Sequence, residues 1–504
     1  MQIKPTIIAL GTMVLMTACG SSNDSASSQP GAPNQGPAIG VEYQGIWQAP
    51  GYAMNIAIGT DSINIYRHTS DYCLHINEED GVSTDDLQRF LRQVDNSSKL
   101  EWFEGFGTDS VQAPGIHFEQ ISALPASCNS NVISMLDGEN SSLAPQELWD
   151  LYGQIFSEYY VDFAQKDVDW QQVLHSSGAD ISDASDVFAL FTAMEKTLEP
   201  LGDGHNYIQA EQGWWAKTLT KPTLLMRLTQ EYAENNGLPF PITDDLVTNE
   251  LIEDLNGFLV EQLELQWELV SDYAEDSSDI KIRANGLLRW YENQGLGYLY
   301  IGGMTGYADP EQYDGLEYAE QTVEVVQTAL DEALEDLKDV SGLIIDVRNN
   351  DGGHDFVSLA IANRFTDAQV HAYSKQARDG NGRTPLQDVY LEPYEGSKYT
   401  GPIVLLTSAS TVSAAEVFAL SMSQLPHVTL VGETSHGAFS DVLEWRLPNG
   451  FNIGLSNEFY LSPQGEWFEG TGVPVDVTAP FFTPEQRIEE IDLGLEIAIA
   501  IFND

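Results

Sequence analysis

The residues best suited to chemistry lie in GPIVLLTSASTVSAAEVFALSMSQLPHVTLVGETSHGAFS, Gly401 to Ser440. IVLL, Ile403 to Leu406, is a short apolar run of the kind that makes a buried strand. A Ser/Thr-rich turn follows, and Ser413-Ala-Ala-Glu416 opens a helical pattern with Val417, Leu420 and Met422 as its apolar positions. Ser413 therefore stands where a helix leaves a strand. Backbone N–H groups point outward there and favour negative charge, so the serine can serve as a nucleophile and the Ala414 amide can help hold an oxyanion. The same residues also spell a capping box, with Ser413 bonding an amide and Glu416 bonding back. Upstream, Asn349-Asn-Asp-Gly-Gly353 is a tight turn at the end of an apolar run, and its glycines let backbone amides approach a ligand closely. Leu201-Gly-Asp-Gly-His205 follows a helical segment and places His205 on a turn; histidine titrates near neutral pH and can move protons there.

The elements that must position these residues alternate helix and strand. GLGYLYIGGM, Gly295 to Met304, reads as a strand. Val323, Val326, Leu330, Leu334 and Leu337 mark a helix, Leu343 to Val347 a buried strand, and Val428 to Val431 another. That alternation argues for an α/β layered core over residues 294–482, followed by a C-terminal helix in 483–504. Before it, residues 143–206 are helical. Val187, Leu190, Phe191, Met194 and Leu198 recur at helical spacing, with Ser182 or Ser185 available as cap and Pro200 as terminator. Residues 41–131 are β-flavoured, with YQGIW, YAMNIAI and SINIYRH as strands of a small β domain. Residues 207–293 read as a largely helical insert.

Three segments taken together, LIIDVRNNDGG (Leu343 to Gly353), the Ser413 stretch and FEGTGVPVD (Phe468 to Asp476), resemble the tail-specific protease family of serine peptidases, also called C-terminal processing peptidases. Val168-Asp-Trp170 with LGDGH resembles the leading part of the branch that contains the tricorn core. The resemblance implies a ClpP/crotonase-like spiral of βα units. It also implies that Ser413 is the nucleophile and that Gly352 or Gly353 gives the second oxyanion amide. The better-known branch pairs its serine with a lysine in a Gly-Lys-Gly context. Here Thr434 to Phe439 is the matching segment, Ala438 occupies the lysine's place, and no lysine follows Lys398. The resemblance to the tricorn branch then makes His205 the base and Glu469 the acid that orients it, a Ser-His-acid logic. His436 and His354 are the other imidazoles near these motifs, and Glu416 is either a cap or a support. Many relatives carry a PDZ domain between these motifs; the insert shows no PDZ pattern. The implied function is a serine endopeptidase acting on proteins or peptides. The alternatives are a binding module on the same fold, as in interphotoreceptor retinoid-binding protein, and an acyl-CoA enzyme of the crotonase type. Neither would need the Ser/His/Glu set.

Composition narrows the classes. Twenty-two basic against 77 acidic residues give a net charge of −55 in 504 residues. That excludes nucleic acid, whose phosphates need clustered Lys and Arg. No cofactor is implied, and His68, His75 and His117 lack metal-ligand spacing. Residues 1–19 read as a targeting segment: Lys4, then a mainly apolar run too short to span a bilayer, then Leu15-Met-Thr-Ala-Cys19, which resembles a bacterial lipobox with Cys19 as the lipidated residue. Gly20 after it resembles lipoproteins sorted to an outer membrane, and residues 20–40 read as a tether. The expected contact with a membrane is this anchor alone, on an envelope protein facing periplasm or exterior. Cys73 and Cys128 remain; they form either one disulfide or two buried thiols.

Overall fold

A computed structural model describes residues 38–94, 98–129, 132–136, 143–243 and 246–503. Cys19 and nearly all of the expected tether lie outside the described residues.

The centre is a seven-stranded sheet whose strands lie in chain order: Lys281–Arg283, Leu288–Asn293, Leu296–Ile301, Gly342–Asp346, Ile403–Thr407, Val428–Gly432 and Val477–Thr478. The first three are antiparallel and every pairing after them is parallel. Parallel strands need crossovers, supplied by the helices Gly315–Asp336, Asp355–Ala362 and Ala414–Met422. Every residue of Gly342–Asp346 and Ile403–Thr407 is buried, the mark of a sheet covered on both faces. Alternate side chains divide between two cores. Leu343, Ile345, Ile403 and Leu405 meet the crossover helices. Ile344, Val404 and Leu406 face the C-terminal helix Leu493–Asn503 through Leu495 and Ala498. The chain is thus α/β, as its alternation of elements indicated.

The N-terminal residues form an eight-stranded sheet from Gly45–Ala49 to Val132–Ser134, slightly beyond the expected boundary. Cys73 and Cys128 are bonded, 55 residues apart in sequence. This sheet has no core of its own. Ile56 and Phe118 share one cluster with Phe156 and Phe191 of the lead-in helices Pro145–Tyr159 and Val187–Leu198, and with Ile453 of the core. Asp186, rather than Ser182 or Ser185, caps the second of these helices by accepting from the Ala189 amide at 2.8 Å.

The insert is less helical than its composition suggests. Its ends are strands. Tyr207–Gln209 and Trp215–Lys217 join the hairpin Val442–Arg446/Asn452–Ser456 in a four-stranded sheet, while Lys281–Arg283 and Leu288–Asn293 join the central sheet. Among its described residues only Leu224–Asn235 and Asn249–Ser271 are long helices, and they bury Leu228, Leu255 and Leu259 against Phe481 and Phe482. Three-residue strands carry too little periodicity to be read from sequence.

Candidate active site

Ser413 sits one residue before the helix Ala414–Met422, at φ 57° and ψ −126°. A non-glycine residue there bears strain of order 1–3 kcal/mol, sustained only where the surroundings over-determine it. They do so here. The Thr411 hydroxyl donates to the Val347 carbonyl at 2.9 Å, the Ser408 hydroxyl donates to the Arg348 carbonyl at 2.6 Å, and the Val412 amide donates to the Asn350 carbonyl at 3.0 Å. The serine turn and the glycine turn are thereby joined across neighbouring strands. Half of the capping box is present: the Ser413 amide donates to Glu416 Oε2 at 3.2 Å. The Ser413 hydroxyl takes no part, and the Glu416 amide bonds the Ser413 carbonyl instead, at 2.7 Å.

The glycine turn closes directly on the serine. A Cβ on Gly352 (φ +95°) would lie 2.7 Å from Ser413 Cβ, 2.6 Å from the Val412 oxygen and 3.1 Å from the Ala414 nitrogen. A Cβ on Gly353 (φ +141°) would lie 2.4 Å from the Met304 carbonyl carbon. The two glycines differ in what their amides can do. The Gly352 amide is committed to Asn350 Oδ1 at 3.0 Å, so it is not an available oxyanion donor. Gly353 forms a parallel bridge with Met304 in which the flanking residues make the bonds: Met304 N–H to the Gly352 carbonyl and His354 N–H to the Met304 carbonyl. The Gly353 amide therefore points away from Met304. The Ala414 amide, in the first helical turn, has no intrahelical acceptor.

Glu416 is fully buried and gathers the loop after the next strand. Its oxygens accept from the Ser435 hydroxyl and the Gly437 amide, each at 2.6 Å, and from the Ala438 amide at 2.8 Å. Burial pushes its carboxyl up to about 7, against the pull of these donors. The side chain is a support for that loop as well as for the Ser413 amide.

His205 lies on its turn with the backbone N–H donating to Asp203 Oδ1 at 2.8 Å. Asp203 is itself buried, accepting also from the Ser456 hydroxyl at 3.0 Å and the Tyr160 hydroxyl at 3.1 Å. It anchors the His205 turn to the core hairpin. Burial lowers His205 to about 4, opposed by Asp203 and Asp441 and reinforced by Lys217. Its Nδ1 is buried without a partner.

Glu469 is fully buried. Its Oε2 accepts from the Phe439 and Ser440 amides at 2.9 and 3.0 Å, while Oε1 has no partner. Burial first, and then the neighbouring Asp203, hold its carboxyl well above the usual range. No hydrogen bond joins Glu469 to His205, but both neighbour Asp203, and each keeps an unpartnered polar atom.

His436 shares the site. Its Nδ1 bonds the Ala409 carbonyl at 3.0 Å, which makes Nδ1 the protonated nitrogen and leaves Nε2 with a lone pair, buried and unpartnered. A Cβ on Gly204, beside His205, would lie 3.2 Å from that Nε2 and 3.1 Å from Ala438 Cβ. The two imidazoles sense each other, and burial holds His436 at about 4. His354 instead stacks on Phe356.

Two lysines enter the site from the insert without any local sequence signal. Lys221 Nζ donates to the Ser435 and Thr471 carbonyls, both at 2.6 Å, clamping the loops that carry His436 and follow Glu469. The other, Lys217, ends the strand Trp215–Lys217. Among the described residues no group of three His, Cys, Asp or Glu is placed to hold a metal ion.

Residues 296–479 match the model of Peptidase family S41, a span that includes Gly353, Ser413 and Glu469 but not His205. The carboxy-terminal processing protease CtpA of Bacillus subtilis is 24% identical over 191 residues, covering 36% of this chain and 39% of its own length. The tricorn protease of Thermoplasma volcanium is 30% identical over 161 residues, covering 32% of this chain and 14% of its own. The chain thus spans less than half the length of these curated relatives. Among solved structures, a protein of Parabacteroides merdae described as a candidate peptidase aligns at a TM-score of 0.54 and 23% identity, over 72% of this chain and 98% of that one. That likeness is one of fold.

Proposed function

We propose, from a core that belongs to peptidase family S41 over residues 296–479, that this chain is a serine endopeptidase of proteins or peptides, with Ser413 as nucleophile, His205 as base and Glu469 as the acid that orients it. The observation that carries the reading is the Ser413 backbone: left-handed, its hydroxyl not used as a cap, and pressed against the glycine turn. A serine that only capped a helix would need none of these.

In this reading Ser413 Oγ attacks the scissile carbonyl carbon as His205 takes the hydroxyl proton. The carbonyl electron pair moves onto oxygen, between the amides of Gly353 and Ala414. The imidazolium then returns its proton to the leaving amine, the C–N bond breaks, and an acyl-serine remains. Water repeats the sequence and frees the acid. Asp203, fixed by three donors, offers negative charge beside the imidazolium, and Glu469 keeps one buried carboxyl oxygen without a partner.

The test is cleavage of casein or a peptide library by the chain and by Ser413→Ala of equal thermal midpoint. Cleavage confined to the unsubstituted chain supports the reading; equal cleavage by both defeats it. A second assignment of the base has its own observation, the Nε2 lone pair of His436. Activity lost in His205→Ala and retained in His436→Ala favours His205, and the reverse favours His436. Envelope attachment is part of the proposal and rests on the Cys19 lipobox. Incorporation of labelled fatty acid should vanish in Cys19→Ala.

A further inference from the structure

We propose that Lys217 is a carboxylate-binding residue of the substrate cleft, recognising an anionic group of the peptide beside the reacting centre. The inference rests on the peptidase reading for its choice of ligand.

Lys217 ends the strand Trp215–Lys217 and pairs with Tyr207, two residues beyond His205. Its neighbour Ala216 points into the core, and Lys217 is half-buried on the other face. Among the described residues its ammonium makes no hydrogen bond, and no carboxylate lies within ion-pair distance, in a chain with 77 acidic and 22 basic residues. The other lysines of this region are satisfied. Lys221 holds two carbonyls, Lys375 pairs with Asp441 and Glu458 at 3.2 Å each, and Lys166 donates to the Gly202 carbonyl at 3.3 Å.

Lys217 is within electrostatic reach of the groups of the site. Asp203 and Asp351 attract it without bridging to it, and its charge acts on both His205 and His436. Asp203 is occupied by three donors. Asp351 is exposed on the turn directly before Gly352 and attracts the lysine without bonding it. His436 Nε2 and His205 Nδ1, the unpartnered imidazole nitrogens nearby, cannot neutralise a cation that itself lowers their basicity. A half-buried ammonium has lost part of its hydration and gained no partner, which is unfavourable until an anion arrives. A carboxylate supplies a charge-assisted bond at that point. It also removes the repulsion that opposes proton transfer to His205, so a substrate with an anion in this place is both bound and activated. Side-chain and terminal carboxylates share this chemistry.

The experiment measures binding in the Ser413→Ala chain, so that turnover is not required. Fluorescence anisotropy is read for two pairs of labelled hexapeptides, one ending in a free carboxylate or a carboxamide, the other amidated and carrying Glu or Gln internally. The carboxylate member of at least one pair should bind about tenfold tighter. Which pair discriminates identifies the source. Lys217→Met, which keeps the aliphatic stem, should bring the ratio to near one, and Lys217→Arg should keep it. Equal affinities within both pairs, a preference that survives Lys217→Met, or no binding by any peptide would each overturn the proposal. Because cleavage is not measured, a failed peptidase reading leaves this comparison intact: an inert chain that still discriminates through Lys217 is a carboxylate binder.

Discussion

Gly352→Ala is the substitution whose outcome the geometry constrains most tightly. The new Cβ would stand 2.6 Å from the Val412 oxygen and 2.7 Å from Ser413 Cβ, where ordinary contacts are near 3.5 Å or more, so the two turns must part by roughly 1 Å. The φ of +95° adds strain of about 1–3 kcal/mol for a residue with a side chain. Neither turn can yield alone, because Ser408, Thr411 and Val412 are bonded to the carbonyls of Arg348, Val347 and Asn350. On the proposed reading this parting separates Ser413 from the amides of Gly353 and Ala414, and a displacement of about 1 Å there costs on the order of 10²-fold in rate. The expected result is kcat down about 10²-fold or more with the thermal midpoint lowered by only a few degrees. The matched control is Gly257→Ala, on the exposed face of the helix Asn249–Ser271, where an added Cβ meets nothing within 4 Å. It should stabilise by about 0.5–1 kcal/mol and leave kcat unchanged. Peptide hydrolysis and differential scanning calorimetry on the two variants decide the matter. A Gly352→Ala chain that keeps kcat within about threefold would refute the claim that the close approach serves the chemistry.

Ser413→Gly should raise stability by about 1 kcal/mol, because glycine carries no penalty at φ 57°, while abolishing hydrolysis; denaturant titration beside the activity assay checks both. With His205 held near 4, the proposed base is neutral above that value. The acid limb of kcat/KM should therefore rise through about pH 4 and not through the ordinary histidine value of about 6.5, and a limb centred near 6.5 would contradict the burial of the imidazole. Lys221→Met should lower kcat about tenfold or more with little change in KM for short peptides, since it frees the Ser435 and Thr471 carbonyls without touching substrate. Reducing the Cys73–Cys128 bond, or Cys73→Ser with Cys128→Ser, should cost roughly 3–4 kcal/mol, read as a lower denaturant midpoint with a steeper slope as the unfolded chain is released.

What the chain discloses before folding follows the range of the interactions involved. The strand Ile403–Thr407, the helix after Ser413 and the helix Val187–Leu198 are legible because each is a continuous periodic pattern with local punctuation. The glycine turn is legible for the same reason, but not the division of labour within it. That Gly352 bonds Asn350 while Gly353 bridges Met304 depends on a strand end 49 residues upstream. Lys217 and Lys221 lie in a segment without local pattern, and they matter only because strands of three residues carry them to loops more than 200 residues away. The sharing of one apolar cluster between the N-terminal sheet and the core hairpin is equally invisible, since buried residues in both read as self-sufficient.

The bonds between the serine turn and the glycine turn have a consequence for how such a protein can diversify. On the proposed reading, Ser413 and the amides of Gly353 and Ala414 belong to one block, tied together by the Ser408 and Thr411 hydroxyls and the Val412 amide on three backbone carbonyls. The insert and the N-terminal sheet attach to that block from outside. Residues such as Lys217 can be exchanged without retuning the distance on which bond cleavage depends. On the proposed reading, peptide preference set at Lys217 is a replaceable fitting, and the block around Ser413 is the chassis that carries it.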